Sequence, residues 1–154
     1  MDSTLKFIKQ ARTAFIELLD GLTLEQLNTV PEGFNNNIIW NFGHIVVSTQ
    51  TLVYVRTGIR QDDSFVEYLD AYKKGSKPTY EVTATEVAAL KTLALSTIDQ
   101  IDADYKAGTF AVITPYGTAT YGATLETIED VFITTAGHDN VHFGYALAQR
   151  KALK

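Results

Sequence analysis

The sequence predicts an all-α protein, a four-helix bundle with a long connection between its second and third long helices. Four long segments place apolar residues three and four positions apart, which is the spacing of amphipathic helices. Hydrophobic residues make up 45% of the 154 residues, enough to fill one core, and no repeat or low-complexity tract divides the chain. We therefore expect a single domain over residues 1–154.

The first long helix is expected from about Ser3 to Asp20, with Asp2 or Ser3 as its N-cap. Its apolar face is predicted to consist of six residues: Leu5, Ile8, Ala11, Phe15, Leu18 and Leu19. A short helical turn is predicted at Thr23–Asn28, because Thr23 and Gln26 have capping-box spacing.

The second long helix is expected from about Asn36 to Thr57, capped by one of the asparagines at positions 35–37. Its many β-branched residues also favour a strand. Length decides against the strand, because an unbroken run of about 20 residues far exceeds a typical strand. Residues 59–82 then form a polar connection in which Phe65 to Tyr72 can form a short helix.

The third long helix is expected from about Thr83 to Ala107, with Thr83 or Thr85 as its N-cap. Residues 109–123 follow it. Pro115 and Gly117 predict turns there, and the weakly alternating flanks allow a small irregular hairpin.

The fourth long helix is expected from about Leu125 to Leu153, with Thr124 as its N-cap. At 1.5 Å per residue it would be roughly 40 Å long, enough to run the height of a bundle. Its opening turns contain acidic residues, which suit the positive end of the helix dipole: Glu126, Glu129 and Asp130.

The composition excludes several classes of protein. The chain has no cysteine, which excludes disulfides, thiolate metal sites and a cysteine nucleophile. Its net charge of −5 argues against nucleic-acid binding, which needs a basic surface. The N-terminus lacks the apolar block of a signal peptide, and no run of about 18 uninterrupted apolar residues predicts a membrane span. We expect a cytoplasmic protein that binds neither membrane nor nucleic acid.

The three histidines of the chain are the strongest functional signal. His138 and His142 are four residues apart on a predicted helix, so both imidazoles lie on one face and can reach one ion. His44 lies in the middle of the second long helix among apolar neighbours. Three histidines that share a cation need no separate partner for their metal-facing nitrogens. The alternative is three core histidines, each hydrogen-bonded to a carbonyl or a side chain.

Glycines adjoin these histidines. Gly43 precedes His44, Gly137 precedes His138, and Gly144 follows shortly after. Because a glycine within a helix costs about 1 kcal/mol relative to alanine, close approach of two helices is a plausible compensation. Such an approach would bring His44 towards the other two histidines, although tight helix packing without a metal would explain the glycines equally well.

The residues around the histidines resemble those of the DinB-like superfamily, metal-binding four-helix bundles of the DinB/YfiT-like type. Residues 37–44 read Asn-Ile-Ile-Trp-Asn-Phe-Gly-His, and residues 137–144 read Gly-His-Asp-Asn-Val-His-Phe-Gly. The resemblance runs over nearly the whole chain and includes the helix order, the long second-to-third connection and a Thr-Pro-x-Gly stretch at 114–117.

The resemblance implies a histidine triad that binds nickel, zinc or iron and leaves positions open for water or substrate. These ligands carry over to His44, His138 and His142. The resemblance also implies a small-molecule substrate and a homodimer, since homodimers are common in the family. Relatives include S-transferases that use a low-molecular-weight thiol, bacillithiol or mycothiol, and metal-dependent hydrolases, while many members have no known reaction.

Four further residues are candidates around the site. Asn41, one turn before His44, can orient that histidine or a bound ligand, but a helix-surface asparagine is as good an interpretation. Trp40 can form part of the wall of a pocket at the histidines, although a core tryptophan is the simpler interpretation. Tyr116 and Tyr121 can line a substrate mouth or pack on the surface.

Asp139 is adjacent to His138 in sequence but points about 100° away round the helix, so we do not expect it to be a ligand. No convincing general base is evident, and the catalytic residues stay unassigned. The sequence is therefore compatible with three functions. The protein is an enzyme, either a metal-dependent hydrolase or a thiol-dependent S-transferase, or a non-catalytic metal- or small-molecule-binding protein, or a structural dimer.

Overall fold

A computed structural model of the chain describes residues 1–153. It contains six α-helices: α1 (Ser3–Asp20), α2 (Leu24–Asn28), α3 (Ile38–Gln50), α4 (Leu69–Tyr72), α5 (Ala84–Lys106) and α6 (Ile128–Ala152). The residues Thr51–Val55 continue α3 as a π-helix. Two short strands, β1 (Tyr116–Gly117) and β2 (Thr124–Leu125), pair antiparallel. The predicted all-α class is confirmed.

The four long helices pack on one another in pairs. Both α1 and α3 contact α5 and α6. Helix α3 is the most enclosed, because every one of its residues except Ser48 is buried. Residues 38–55 are apolar enough to span a membrane by length and composition, with a mean hydropathy of 1.2, but 78% of them are buried inside this protein. Their apolar character is therefore explained by the core.

Several helix starts follow the caps that the sequence predicts. Asp2 accepts hydrogen bonds from the backbone amides of Thr4 and Leu5, and the Thr23–Gln26 capping box is formed in both directions. Asn37 is the asparagine that caps α3. Each side-chain oxygen satisfies an amide that has no partner within its helix.

Three predicted boundaries were wrong. Helix α6 begins at Ile128 rather than Leu125, because Thr127 and Asp130 form a reciprocal capping box there. The predicted cap Thr124 instead pairs with Gly117 in the hairpin. In the long connection only Leu69–Tyr72 is helical, and the predicted end of the second helix is π-helical.

The side chain of Arg12 joins the four long helices. It lies on α1 and is fully buried. Its Nε donates to Asp139 Oδ2 of α6 at 2.8 Å, and its Nη1 donates to the carbonyl of Ala94 in α5 at 2.9 Å. Its Nη2 donates to Thr49 Oγ1 at 2.5 Å and to the carbonyl of Ile45 at 3.2 Å, both in α3. A buried charge with this many acceptors fixes the four helices relative to one another.

We expect Arg12→Met to destabilise the protein by about 3–5 kcal/mol, because it leaves the buried Asp139 carboxylate without its counter-ion. The measurement is the free energy of unfolding from urea denaturation. The matched control is Lys9→Met. Lys9 lies on the same helix as Arg12 and forms a surface ion pair with Asp99, so its substitution should cost less than about 1 kcal/mol. Equal effects of the two substitutions would show that Arg12 has no special role.

Candidate metal centre

The three histidines converge at one place between α3 and α6. One ring nitrogen from each of His44, His138 and His142 lies within 4.8 Å of those of the other two. The ring centroids are 4.6 Å apart for His44 and His142, 4.7 Å for His138 and His142, and 5.1 Å for His44 and His138. His138 and His142 thus lie on one face of α6, as their spacing predicts, and this face meets His44 across the interface with α3.

The His44 ring is held by the backbone of α4. Its Nδ1 lies 2.6 Å from the carbonyl oxygen of Tyr72. A carbonyl can only accept, so Nδ1 carries the hydrogen and Nε2 of the neutral ring keeps a lone pair. Ser48 Oγ lies 3.3 Å from that Nε2. The Trp40 ring stacks on the His44 ring with centroids 4.8 Å apart and planes 9° apart.

The His142 ring is held by a buried amide network. Its Nδ1 lies 2.7 Å from Asn41 Oδ1. The Asn41 amide nitrogen donates to Gln149 Oε1 at 2.9 Å, and Gln149 in turn donates to the backbone and side-chain oxygens of Asn36. Since this network fixes which end of the Asn41 amide faces the ring, His142 Nδ1 is the donor and Nε2 is left free.

Asn41 has a role that its sequence position did not indicate. It is 1% exposed, so it is not a helix-surface residue, and it orients His142 on α6 rather than its neighbour His44. Sequence spacing along α3 could not reveal a partner on another helix. Trp40 is buried, as a core tryptophan would be, and also packs against a candidate ligand.

The third ring, that of His138, lacks such a hydrogen bond in the described part of the chain. His138 Nδ1 is buried and has no hydrogen-bonding partner within residues 1–153. A buried polar atom without a partner is unfavourable. His138 is therefore the one ring of the three that no hydrogen bond to the described residues holds in place. Asp139 turns away and binds Arg12, which agrees with the expectation that it is not a ligand.

All three imidazoles are electrically neutral at physiological pH. Burial lowers the pKa of His44. The hydrogen bond to the Tyr72 carbonyl opposes this with a smaller effect, and the charge of Lys74 adds a still smaller lowering. Burial, with the neighbouring His44 and Arg12, lowers the pKa of His138 to about 4. Burial, with the other two histidines, lowers the pKa of His142 to about 3. A neutral imidazole is the form that binds a metal.

These residues fit a divalent ion. Two of the rings present Nε2 lone pairs with their other nitrogen hydrogen-bonded to oxygen, the arrangement found in protein metal sites. A tetrahedral ion with Zn–N bonds of about 2.0–2.1 Å needs nitrogens about 3.4 Å apart, so the rings need only move together slightly. The set of three nitrogen donors suits zinc, nickel and iron alike.

A cavity of about 330 Å³ opens beside the histidines. His44 and His138 form part of its wall, and so do Tyr116 and Tyr121, in and after the hairpin strand β1. Tyr116 is buried, and its hydroxyl donates to the carbonyl of Leu52 at 2.9 Å, whereas Tyr121 is 52% exposed. Both loop tyrosines therefore line the cavity, as one of the two interpretations expected.

The cavity also has polar lining residues that are not among the candidates predicted from the sequence. Ser48 and Arg56 lie on the same side of α3 and its π-helical end as His44, and Asp63 is the single carboxylate that lines the cavity in the described part of the chain. The signal was available for Ser48, which follows His44 by four residues on a predicted helix, whereas twelve residues of regular α-helix would turn Arg56 about 120° away from His44. Asp63 lies in a connection whose path the sequence does not predict.

The glycines have a different explanation from the one expected. A Cβ atom on Gly43 would lie 2.5 Å from the Tyr72 ring, so Gly43 admits α4 rather than another long helix. A Cβ on Gly137 would lie 3.4 Å from the Tyr121 hydroxyl, and one on Gly144 would meet no atom within 4 Å. Gly43 thus permits the contact that brings the Tyr72 carbonyl to His44, and nothing in the structure explains Gly144.

We expect Gly43→Ala to destabilise the protein by about 1–3 kcal/mol through overpacking against Tyr72, and to weaken metal binding as the Tyr72 carbonyl moves. Gly144→Ala, in open space on a helix, should instead stabilise by about 0.5–1 kcal/mol and leave metal binding unchanged. Thermal denaturation and metal titration of both variants test this. A neutral Gly43→Ala would contradict the tight contact.

The lowered histidine pKa values predict a pH dependence of stability in the metal-free protein. Well above pH 6.5, the ordinary pKa of histidine, the rings are neutral in the folded and unfolded states, and their ionisation does not affect stability. As the pH falls below 6.5, both histidines become protonated in the unfolded chain. In the folded protein His138 and His142 stay neutral until the pH approaches their lowered pKa values of about 4 and about 3. The free energy of unfolding should therefore fall as the pH falls through this window.

The slope should stay below about 1.4 kcal/mol per pH unit for each ring, because the unfolded state binds at most one more proton per ring than the folded state. Urea denaturation between pH 6.5 and 5 measures it. A His138→Gln/His142→Gln variant should show a shallower slope over the same range. An unchanged slope would mean that these rings titrate normally in the folded protein.

The sequence as a whole matches a known family. A family model described as the DinB superfamily matches residues 8–146, a range that includes all three histidines. No curated protein matches the chain at significant similarity. The family match covers far more than half of the 154 residues and agrees with the helical fold and the histidine cluster. The chain belongs to the DinB superfamily.

Proposed function

We propose that this protein binds one divalent metal ion through His44, His138 and His142 and acts on a small molecule held in the adjoining cavity. The proposed reaction is metal-dependent hydrolysis or thiol-dependent S-transfer. The observation that carries the proposal is the position of the triad, since two of its three rings also line a cavity of about 330 Å³. A metal held there would be accessible to a molecule in the cavity.

The surrounding residues support this arrangement. The Tyr72 carbonyl and Asn41 hold two rings with their Nδ1 atoms protonated. Trp40 covers one face of His44, which keeps water from that side. Burial keeps the rings neutral, so protons compete weakly for the nitrogen lone pairs at physiological pH.

A divalent ion bound by three imidazoles supplies a Lewis acid that lowers the pKa of a water or a thiol bound to it. The chain has no cysteine, so a thiol would come from a separate cofactor. On the protein side, the Ser48 hydroxyl lies within 3.3 Å of His44 Nε2 and also lines the cavity, where it can donate a hydrogen bond to a ligand.

We also propose a homodimer. Helix α6 exposes three apolar side chains at spacings of eight and four residues, Ile133, Val141 and Tyr145, which are 63%, 44% and 54% exposed. This face is available to a second copy of the chain. The mass in solution, from light scattering, tests the dimer independently of any activity.

The first experiment is the metal content of protein purified without a histidine tag or added metal. We expect close to one equivalent, and none in a His44→Ala/His138→Ala/His142→Ala variant that remains helical by circular dichroism. Protein that holds no metal even after titration with zinc, nickel and iron(II) would contradict the proposal.

Turnover then separates the candidate functions. The loaded protein would be assayed against esters and amides, and against electrophiles with a thiol present. Turnover that His44→Ala abolishes together with the metal supports an enzyme. Tight metal binding without turnover over the whole panel supports a non-catalytic metal-binding protein instead, and turnover retained in His44→Ala would contradict the metal mechanism.

A further inference from the structure

The cavity beside the histidines is lined by residues along much of α3 and its π-helical end. Its wall on this side is formed by residues that recur at helical spacing: His44, Val47, Ser48, Thr51, Leu52 and Arg56. His44 and Arg56 are twelve residues apart, so their backbones are separated by at most about 18 Å along the axis, since 1.5 Å per residue is the rise of a regular α-helix and a π turn rises less. The metal centre therefore lies at one end of the cavity and Arg56 at the other.

The π-helical turn places Arg56 at this far end. The amide of Arg56 bonds to the carbonyl of Thr51, five residues earlier, at 2.9 Å. In a regular α-helix, residues five apart point about 140° away from each other. The wider π turn brings them closer to the same side, and such turns are frequent at functional sites. Arg56 consequently lines the cavity together with Thr51.

The guanidinium of Arg56 is fixed but not neutralised. Its centre lies 4.8 Å from the centroid of the Tyr116 ring, and its Nη2 donates to the carbonyl of Gly117 at 3.2 Å. None of the carboxylates within residues 1–153 forms an ion pair with it. Arginine has five N–H donors in a planar fork, so most of them are available to a ligand.

The charges around the cavity have the same sign as Arg56. Among the described residues, three cations line it, Arg56, Lys73 and Lys74, against the single carboxylate of Asp63. Lys73 is paired with Asp70 at 2.6 Å, which leaves Lys74 near the histidines and Arg56 at the far end as the cations without an ion pair in the described residues. In a chain with a net charge of −5, this cavity is a local region of positive charge.

We infer that the cavity binds an elongated small molecule with an anionic group, a carboxylate or a phosphate, which Arg56 holds while the other end of the molecule reaches the histidines. This inference rests on the proposed small-molecule site. Apolar side chains between the two ends, including Val47 and Leu52, suit an uncharged middle segment. Arg56 is thus a specificity-determining residue, and no direct role in bond making is assigned to it.

Four probes of equal chain length test the inference: octanoate, octyl phosphate, octanol and octylammonium. Amide chemical-shift titrations, read at Thr51 and Gly117, give a dissociation constant for each. We expect the two anions to bind at least about 10-fold more tightly than the alcohol and the amine, and less tightly at high salt. The comparison of octanoate with octyl phosphate shows which anion the guanidinium prefers.

Arg56→Gln should weaken anion binding about 10-fold and leave octanol unchanged. The matched control is Arg60→Gln, which removes an arginine that also lies over aromatic rings, those of Tyr54 and Phe65, but does not line the cavity. It should change no affinity by more than about 2-fold. Arg56→Lys should lie between wild type and Arg56→Gln, because lysine keeps the charge but loses the planar fork.

Three outcomes would overturn the inference. They are equal binding of octanol and the anions, equal losses in Arg56→Gln and Arg60→Gln, and no binding of either anion up to about 10 mM. The titrations are run on metal-free and zinc-loaded protein. Metal bound by the histidines without Arg56-dependent anion binding would refute the inference alone, whereas Arg56-dependent binding in protein that takes up no metal would refute the proposed metal function alone.

Discussion

The buried guanidinium of Arg12 is the constraint on which the arrangement of this protein depends. It starts on α1 and donates hydrogen bonds to α3, α5 and α6. Apolar packing tolerates alternative arrangements more readily than a buried charge does, because the charge must have its acceptors at fixed positions. One of these acceptors, the Ile45 carbonyl, directly follows His44, and another, Asp139, directly follows His138.

The same side chain that joins the helices therefore also sets the relative position of the two backbones that carry the histidines. Around this fixed frame, further hydrogen bonds orient two of the three rings. The backbone of α4 holds His44, and the amides of Asn41 and Gln149 hold His142. Buried polar networks of this kind favour one arrangement strongly, because every alternative leaves a donor or an acceptor unpaired.

The sequence predicted what depends on local periodicity and on residue type. It predicted the long helices, most of their caps and the convergence of three histidines, since i, i+4 spacing and capping chemistry are local. It misjudged features that depend on distant partners. Asn41 binds a ring about one hundred residues away in sequence, and Gly43 faces an aromatic ring from the irregular connection. The role of Arg12 could not be predicted from the sequence. It lies between Ile8 and Phe15 on an otherwise apolar helix face, and only the four hydrogen-bond acceptors of the folded protein explain a charge there.

The start of α6 was misplaced for a related reason. Thr124 and Thr127 are both acceptable caps by type, and only the reciprocal bonds with Asp130 and the pairing of Thr124 in the hairpin decide between them.

The π turn at Thr51–Val55 gives the cavity wall two parts that can vary separately. Such a turn accommodates one residue more than an α-helix of similar length, so a single-residue insertion or deletion can create or remove it while the rest of the helix stays intact. The part before it carries His44 and is locked into the core, whereas the part after it carries Arg56 near the surface. Over evolutionary time, one inserted or lost residue at this point would rotate the outer end of the wall and change the shape of molecule that fits, without moving the histidines.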